Sequence, residues 1–479
     1  MSASPIVVWF RDDLRVTDQP ALHAAAQSGQ PVIAVYVLDD HSPGAWTLGG
    51  ASRWWLHHSL TCLEQSLAQL AIPLTLRRGG FEDVLTRLVE ETGADALYCC
   101  RGYEPWVVET EQRLNDALSA QGASVKRFAG RLLFEPGRIL TGGGDTYKVF
   151  TPFWRACLRA DPPKAPVPAP GRLTPCASSP ASDSLSDWRL LPTKPDWSGG
   201  FADQWSPGEG GAIAALERFL ETSLADYHEA RDIPGERGTS RLSAHLRFGE
   251  ISPRQIWHLV ANEVGGNLAD PRAEAYLREL GWRDFNSHLL LAYPTIGEQA
   301  FKPAYDAFPW REDLPGLRAW QQGQTGYPIV DAGMRELWTT GWMHNRVRMI
   351  VGSFLVKHLL LPWRLGEDWF WDTLVDADLA NNAGGWQWAA GSGADAAPYF
   401  RIFNPTLQGK KFDAKGTYVR RWVPEIAAVP DKYIHEPAAA PTTVLESVGV
   451  KLGRDYPAPV VAHKVARERA LSALKAVTG

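Results

Sequence analysis

The sequence predicts two domains, a doubly wound α/β domain with a parallel sheet at the N-terminus and an all-α domain after it. Over residues 1–130, short apolar runs rich in β-branched residues alternate with helical patterns, which is typical of a parallel sheet covered by helices. From Glu209 onward helical patterns continue and strand-like runs essentially vanish. A chain of 479 residues is also too long to fold around a single core.

Five strands and four helices are expected in the first domain. The strands cover residues 6–10, 32–38, 74–76, 96–100 and 125–128, and the helices cover 20–27, 51–70, 82–91 and 107–120. Because ligands of such sheets bind beyond the carboxyl ends of the strands, Arg11, Asp12, Asp13 and Arg15 form a candidate site. No GxGxxG follows the first strand, so a dinucleotide-binding fingerprint is absent. A solvated loop is the alternative interpretation of these residues.

The chain is expected to divide into four parts. Residues 1–130 are the α/β domain and residues 131–207 are an interdomain linker, whose stretch 161–200 is dense in Pro, Ser and Ala and should be extended. Residues 208–440 are the helical domain. Residues 441–479 are a C-terminal extension with an amphipathic helix over 461–477.

Composition excludes several classes of protein. The net charge of −5 argues against a surface that coats nucleic acid generally, although a local basic groove remains compatible with it. Five cysteines without CxxC spacing indicate a reduced, cytoplasmic protein, and the absence of cysteine after Cys176 argues against an iron–sulfur site in the second half. The most apolar stretch, 349–363, contains Lys357 and His358 and is too short to span a bilayer, so no membrane association is expected.

The stretch 376–405 combines features that ordinary core sequence does not. Two acids and two amides come first. A small-residue hinge at 383–385, two tryptophans and an arginine-containing block at 399–405 follow them in that order. The polar and aromatic residues are Asp376, Asp378, Asn381, Asn382, Trp386, Trp388 and Arg401. We interpret the stretch as the wall of a pocket for a large planar ligand. A buried turn between helices is the alternative.

Four other segments carry polar residues in suggestive patterns. Helix 273–291 should place Tyr276, Glu279, Trp282, Arg283 and Asn286 on one face, although a surface Glu279–Arg283 pair would also explain them. A long helix starting at Pro328 should carry Trp338, Trp342, Asn345, Arg348 and Met349 on one side, with Arg348 pairing with Asp376 or Asp378.

Segment 238–243 (GTSRLS) offers hydroxyl and backbone N–H groups to a phosphate. Near residue 410 a basic run could follow a phosphate backbone, or be a solvated face: Lys410, Lys411, Lys415, Arg420 and Arg421.

Long motifs resemble those of a known family. In chain order they are VVWFRDDLRVTDQPAL, GTSRLSAHLRFGEISPRQ, LGWRDF, TGYPIVDAGMREL, WMHNRVRM, and DADLANNAGGWQW followed by PYFRIFNP. Together they resemble the photolyase/cryptochrome family over nearly the whole chain. The resemblance implies an N-terminal α/β domain, a C-terminal helical domain that holds FAD, and repair of UV-induced pyrimidine dimers in DNA. In that chemistry light excites the reduced flavin, an electron passes to the dimer, the ring splits and the electron returns.

The resemblance also assigns residues. FAD contacts fall on Tyr227, Thr239, Ser240, Arg241, Leu242, Ser243, Tyr276, Glu279, Arg283, Asn345, Arg348, Asp376, Asp378 and Asn382. Contacts to the damaged DNA fall on Glu279, Trp282, Arg283, Asn286, Asn345, Arg346, Met349, Trp388, Arg401 and Gln408. Catalytic roles fall on Glu279, Asn382, Trp386, Trp363 and Trp310, the tryptophans being the route by which oxidised FAD is reduced under light. The protein is expected to act as a monomer on UV-damaged DNA, single- or double-stranded.

Three functions within the family stay open. A (6-4) photolyase is disfavoured because Asn345 and Met349 stand where those enzymes carry histidine. A cryptochrome-type blue-light receptor is less favoured, because plant-type cryptochromes tend to have Asp where this chain has Asn345 and Asn382, and because no long tail follows the core. Light-driven repair of cyclobutane pyrimidine dimers is therefore preferred.

A second, light-harvesting chromophore is implied in the N-terminal domain or at its interface. Methenyltetrahydrofolate is expected, and 8-hydroxy-deazaflavin is the alternative. Residues around Arg11, Glu104 and Trp106 are the candidates for binding it.

Overall fold

The N-terminal half is built on a five-stranded parallel sheet. The computed structural model describes residues 3–177, 179–395 and 400–478. The strands are β1 (Ile6–Phe10), β2 (Val32–Leu38), β3 (Leu74–Arg78), β4 (Ala96–Cys100) and β5 (Ser124–Phe128). They are ordered β3-β2-β1-β4-β5, and each neighbouring pair is parallel. The predicted fold of this domain is confirmed.

Helices cover both faces of the sheet, and the sequence of β1 shows why. Ile6, Val8 and Phe10 pack into one apolar cluster while Val7 and Trp9 pack into another, so every side chain of the strand is buried. The four helices of the domain are α1 (Pro20–Ser28), α2 (Gly50–Gln69), α3 (Phe81–Thr92) and α4 (Pro105–Ala120). Helices α1 and α2 lie on the first face, and α3 and α4 lie on the second.

The predicted linker is bound to the sheet rather than free. Backbone hydrogen bonds join Val32 N to Thr174 O (2.9 Å) and Asp183 N to Leu76 O (2.8 Å), so the stretch runs beside β2 and the edge strand β3. A covered edge cannot pair with another chain. The same segment contains helix α5 (Phe150–Arg159) and a single 3₁₀ turn at Leu185–Trp188.

The second half is helical, as predicted. Its helices are α6 (Glu209–Thr222), α7 (Tyr227–Ala230), α8 (Ser243–Arg247), α9 (Pro253–Glu263), α10 (Pro271–Ala292), α11 (Leu314–Gln321), α12 (Pro328–Thr340), α13 (Asn345–Ser353), α14 (Trp363–Thr373), α15 (Leu379–Ala390), α16 (Pro405–Phe412), α17 (Thr417–Trp422), α18 (Thr442–Ser447) and α19 (His463–Thr478). A π-helical segment, Phe354–Leu359, continues α13. Within the described residues, no helix is both long and apolar enough to cross a membrane.

Two local predictions in this half are wrong. The single long helix from Pro328 is two helices, because α12 ends at Gly341 with a left-handed φ of 69°. Trp338 therefore does not join the predicted face but is 51% exposed, stacked on Trp369. The predicted hinge at 383–385 lies inside helix α15.

The two halves share one packed interface. The apolar cluster on the α2 face of the sheet includes Trp55, together with Trp205, Phe248 and Trp342 from outside the sheet domain. Asp12, just after β1, pairs with Arg247 of α8 (2.5 Å). The helical half is thus fixed against the carboxyl end of the sheet.

Candidate active site

A large cavity opens in the helical half. Its volume is about 630 Å³, which is within the usual size of a site for a cofactor. All fourteen residues that the resemblance assigned to FAD line it: Tyr227, Thr239, Ser240, Arg241, Leu242, Ser243, Tyr276, Glu279, Arg283, Asn345, Arg348, Asp376, Asp378 and Asn382. They come from α7, from the loop before α8 and the first residue of α8, and from helices α10, α13 and α15 with the segment that precedes α15.

An Arg–carboxylate pair forms part of the wall. Arg348 Nη2 donates to Asp376 Oδ2 at 2.7 Å, and Arg348 Nε donates to Met343 O at 2.8 Å. The predicted pairing of Arg348 is thus confirmed for Asp376. Asp378 instead caps α15, because its Oδ1 accepts from Asn381 N at 2.9 Å. Within the described part of the chain no group donates to Asp376 Oδ1, although this atom is buried.

The partly exposed part of the cavity lining, here called the mouth, carries aromatic and charged side chains together. Trp282, Asn286, Arg346, Met349 and Trp388 all line it. Trp282 stacks on Phe150 with ring centroids 3.7 Å apart and planes 8° apart, and Trp388 lies 6.5 Å from Phe403. Planar faces at a cavity mouth can stack on planar ligands.

Glu279 pairs with a residue just after α7 rather than along its own helix. Its Oε1 lies 2.7 Å from Nη1 of Arg231. The alternative surface pair with Arg283 is wrong, because Arg283 Nη1 donates to the backbone oxygen of Arg131 at 2.6 Å. Arg283 is thereby turned toward the segment 131–207, and Oε2 of Glu279 is left for other partners.

Asn382 is held by the backbone of the neighbouring helix. Its Nδ2 donates to Glu367 O at 3.0 Å, which leaves the amide oxygen to face other groups. The Glu367 side chain is fully buried, and burial raises the pKa of its carboxyl well above the usual range.

The three tryptophans assigned to electron transfer occupy different depths. Trp386 lines the cavity, and its ring packs against Phe370 (5.0 Å) and Trp320 (6.1 Å). Trp363, the first residue of α14, is buried, and Trp310 is half-buried against Phe308 at 4.4 Å. Neither Trp363 nor Trp310 lines the cavity. Sequence reasoning missed Trp320, which lies in a segment without any motif that would have marked it.

Several of the basic residues that the sequence singled out are paired with carboxylates. Arg401 is exposed and Gln408 half-buried, and both lie outside the cavity lining. Arg346 pairs with Asp232 at 2.7 Å. Lys410 pairs with Glu436 at 3.3 Å, and Arg420 with Asp431 at 2.7 Å. Tyr399, in the predicted block 399–405, lies outside the described residues.

Buried ion pairs lie at the carboxyl end of the sheet. Arg11 pairs with Glu111 at 2.6 Å, and Glu104 pairs with Arg131 at 2.8 Å. Asp13 and Arg15 are each 1% exposed, so the solvated-loop interpretation is wrong for them. Arg11 and Glu104 are buried in ion pairs with other residues, Arg11 Nη1 has no partner among the described residues, and Trp106 is half-buried.

Comparisons with known proteins agree with this geometry. A family model described as "FAD binding domain of DNA photolyase" matches residues 276–476, and one described as "DNA photolyase" matches residues 6–171. The deoxyribodipyrimidine photo-lyase of Agrobacterium fabrum is 51% identical over 477 residues, covering 100% of this chain and 99% of the relative. Cryptochrome-1 of Arabidopsis thaliana is 39% identical, covering 98% of this chain and 70% of that protein.

A solved structure matches equally well. The crystal structure of a bacterial class III photolyase from Agrobacterium tumefaciens superposes with a TM-score of 0.96 at 51% identity, covering 100% of this chain and 98% of the other. The relative and the solved structure match along the whole chain, and the two family models match residues 6–171 and 276–476. The chain belongs to the photolyase and cryptochrome family.

Proposed function

We propose that this protein is a deoxyribodipyrimidine photolyase that repairs cyclobutane pyrimidine dimers in DNA with light. One observation carries the proposal: a single cavity brings the Arg348–Asp376 wall together with Glu279, Trp282 and Trp388. A cofactor held by the first group would lie beside a substrate stacked on the second. The 51% identity to a deoxyribodipyrimidine photo-lyase supports the same assignment.

The residues present fit FAD. Asp376 Oδ1 is buried without a donor among the described residues, so a ligand that donates a hydrogen bond there would satisfy it. The loop ahead of α8 offers hydroxyl groups and Arg241 to a pyrophosphate. The residues that would hold the cofactor are the fourteen that line the cavity. When bound in its reduced form, FAD supplies the electron that, after excitation by light, splits the dimer.

The side chains at the mouth would select and hold the damaged bases. A dimer is inaccessible inside a duplex, and its poor stacking lowers the cost of extruding it. The rings of Trp282 and Trp388 are placed to stack on extruded bases. Glu279, oriented by Arg231, would hydrogen-bond the pyrimidine edges. The side chain of Asn382 is a neutral amide, so it can hydrogen-bond the cofactor without readily supplying a proton.

Contacts to the DNA backbone would come from side chains around the mouth of the cavity, here called the rim. We infer that Arg346, Arg401 and Gln408 lie along the path of the damaged strand, with Asn286, Asn345 and Met349 closer to the dimer. Cationic contacts of this kind weaken as salt rises, because counterions compete for the phosphates. We also infer that the protein acts as a monomer in the cytoplasm.

We propose a second, light-harvesting chromophore as well, methenyltetrahydrofolate rather than 8-hydroxy-deazaflavin. Residues around Arg11, Glu104 and Trp106 are the candidates for its site, and Arg11 Nη1 has no partner among the described residues. Absorbance and chromatography of the chromophores released from the purified protein distinguish the two molecules.

A repair assay tests the main proposal. The reduced protein is illuminated with blue light in the presence of an oligonucleotide that carries one cyclobutane thymine dimer, and recovery of thymine absorbance is followed. Recovery under light and none in the dark supports a photolyase. No recovery from a protein that holds photoreducible FAD would contradict it and favour a cryptochrome-type receptor, to which the 39% identity with Cryptochrome-1 also points.

A substitution at Glu279 refines the test. Glu279→Gln should retain FAD but lower the repair quantum yield several-fold, because the charged partner of the bases is lost. Glu274→Gln, on the same helix and outside the cavity lining, is the matched control. An unchanged yield in Glu279→Gln would remove this residue from the chemistry.

A further inference from the structure

Phe150 covers one face of Trp282. The two rings are 3.7 Å apart at their centroids and nearly parallel, at 8°. Phe150 is 1% exposed, whereas Trp282 is only partly buried and lines the cavity. One face of the indole is therefore occupied by the ring of Phe150. Only the rest of the indole surface can contact the cavity.

The residue that covers Trp282 does not belong to the helical half. Phe150 is the first residue of α5, within the segment 131–207 that joins the two halves. Trp154, one turn later, lies parallel to Phe150 at 6.4 Å, and Phe285 meets Phe150 edge-on at 5.8 Å. A Cβ at Gly281 would lie 2.5 Å from Trp154 Cε3, so the absence of a side chain there lets α5 lie directly on α10.

The start of α5 is also fastened to the cavity wall. Phe150 N donates to Asp395 Oδ2 at 2.9 Å, while Val149, at the cap position, makes no side-chain cap bond of its own. Asp395 lines the cavity and follows α15 in the chain. This one carboxylate thus caps α5 and ties Phe150 to the cavity. The guanidinium of Arg278 lies 5.4 Å from the Phe150 ring centroid.

We propose that Phe150 is a positioning residue for dimer recognition. By covering one face of Trp282 it holds the indole in a single orientation, with the other face free to stack on an extruded pyrimidine. This inference rests on the proposed function and adds a part of the inter-domain segment to the substrate site. Ordinary core packing would give the same burial, but it would make no difference between damaged and undamaged DNA.

Preorganisation sets the expected size of the effect. An indole that is free to rotate must lose that freedom when a base stacks on it, and for one side chain this ordering corresponds to about threefold to tenfold in affinity. The penalty applies only to DNA that stacks on Trp282. Undamaged DNA, bound through the rim, should not experience it.

The test compares Phe150→Leu with Phe153→Leu. Leucine keeps most of the apolar volume but removes the flat ring. Phe153 is a matched control, because it is equally buried on the same helix and packs on Phe285 and His288 instead of Trp282. Dissociation constants in the dark are measured for one oligonucleotide with a single cyclobutane thymine dimer and for the same oligonucleotide undamaged, with FAD content and melting temperature.

Phe150→Leu should weaken binding of the dimer about threefold to tenfold and leave undamaged DNA and FAD content unchanged. Phe153→Leu should lower the melting temperature without changing the preference for the dimer. An unchanged preference in Phe150→Leu, or an equal loss in both variants, would overturn the inference. If Phe150→Leu does not fold, Asp395→Ala decides. Removing the acceptor of Phe150 N should loosen the start of α5 and also reduce the preference, and an unchanged preference would again overturn the proposal.

The wild-type protein separates this inference from the proposed function. If it shows neither preference for the dimer nor repair, the proposed function fails and the role of Phe150 fails with it. If it prefers the dimer and repairs it while Phe150→Leu keeps the full preference, the role of Phe150 alone fails.

Discussion

Replacing Asp376 by asparagine should weaken FAD binding without unfolding the cavity. Asp376 accepts from Arg348 at 2.7 Å through Oδ2, and its side chain is 3% exposed. Its Oδ1 is buried without a donor among the described residues. A bound cofactor that donates to this oxygen would make a hydrogen bond to a charged acceptor in a site shielded from water.

The magnitude follows from that one bond. Hydrogen bonds to charged groups contribute about 1.5–3 kcal/mol, and losing this amount raises a dissociation constant about 10- to 150-fold. Asparagine has nearly the shape of aspartate, so the cavity volume is retained. The amide also removes the charge that balances Arg348, which adds to the loss in the same direction.

The assay is reconstitution of the apoprotein with FAD, followed by flavin fluorescence. Asp368→Asn is the matched control, because Asp368 is an exposed carboxylate on the neighbouring helix α14 and lies outside the cavity lining. Guanidinium unfolding of both apoproteins separates affinity from stability. A dissociation constant of Asp376→Asn within about twofold of the wild-type value would refute the reasoning, since it would mean that no cofactor group reaches Asp376.

Two further substitutions probe the buried aromatic and charged groups. Trp386→Phe should abolish light-driven reduction of oxidised FAD, because the phenyl ring is harder to oxidise than indole. Chemically reduced Trp386→Phe protein should still repair dimers. Photoreduction at the normal rate would exclude Trp386 from the electron-transfer route. Lys357 is buried and donates to Arg401 O at 2.7 Å, and burial, together with the Arg401 charge, lowers the pKa of its amine to about 7. Between pH 7 and about 10 the unfolded chain keeps a proton that the folded chain has released, so the free energy of unfolding should rise with pH in that window. Lys357→Met should flatten this rise and stabilise the fold below pH 7. The measurement is denaturant unfolding of both proteins at a series of pH values. If the free energy of unfolding changed with pH by the same slope in both, the prediction would be wrong.

Local pattern was sufficient for the elements and for part of the site. The strand over residues 6–10 was predicted with the observed bounds, because a fully buried parallel strand needs apolar residues at every position. The Arg348–Asp376 pair was anticipated from charge alone. The break at Gly341 was missed even though a glycine after a helical pattern is a known stop signal.

The positions of residues on other elements could not be anticipated in this way. Glu104 looks like a free acid in sequence, yet Arg131 and the packing of the two halves bury it. Nothing near Trp320 in the chain indicates that it lies 6.1 Å from Trp386.

The sequence by itself determined the two-domain architecture, the family and the set of residues around one cavity. These follow from periodicity, from composition and from long motifs, each of which is a property of neighbouring residues. Only the tertiary structure decided which side chains face one another: Arg231 with Glu279, and Phe150 with Trp282 across more than a hundred residues of chain. The physical reason is that such contacts depend on how helices pack, and packing is set by the whole core and not by local sequence.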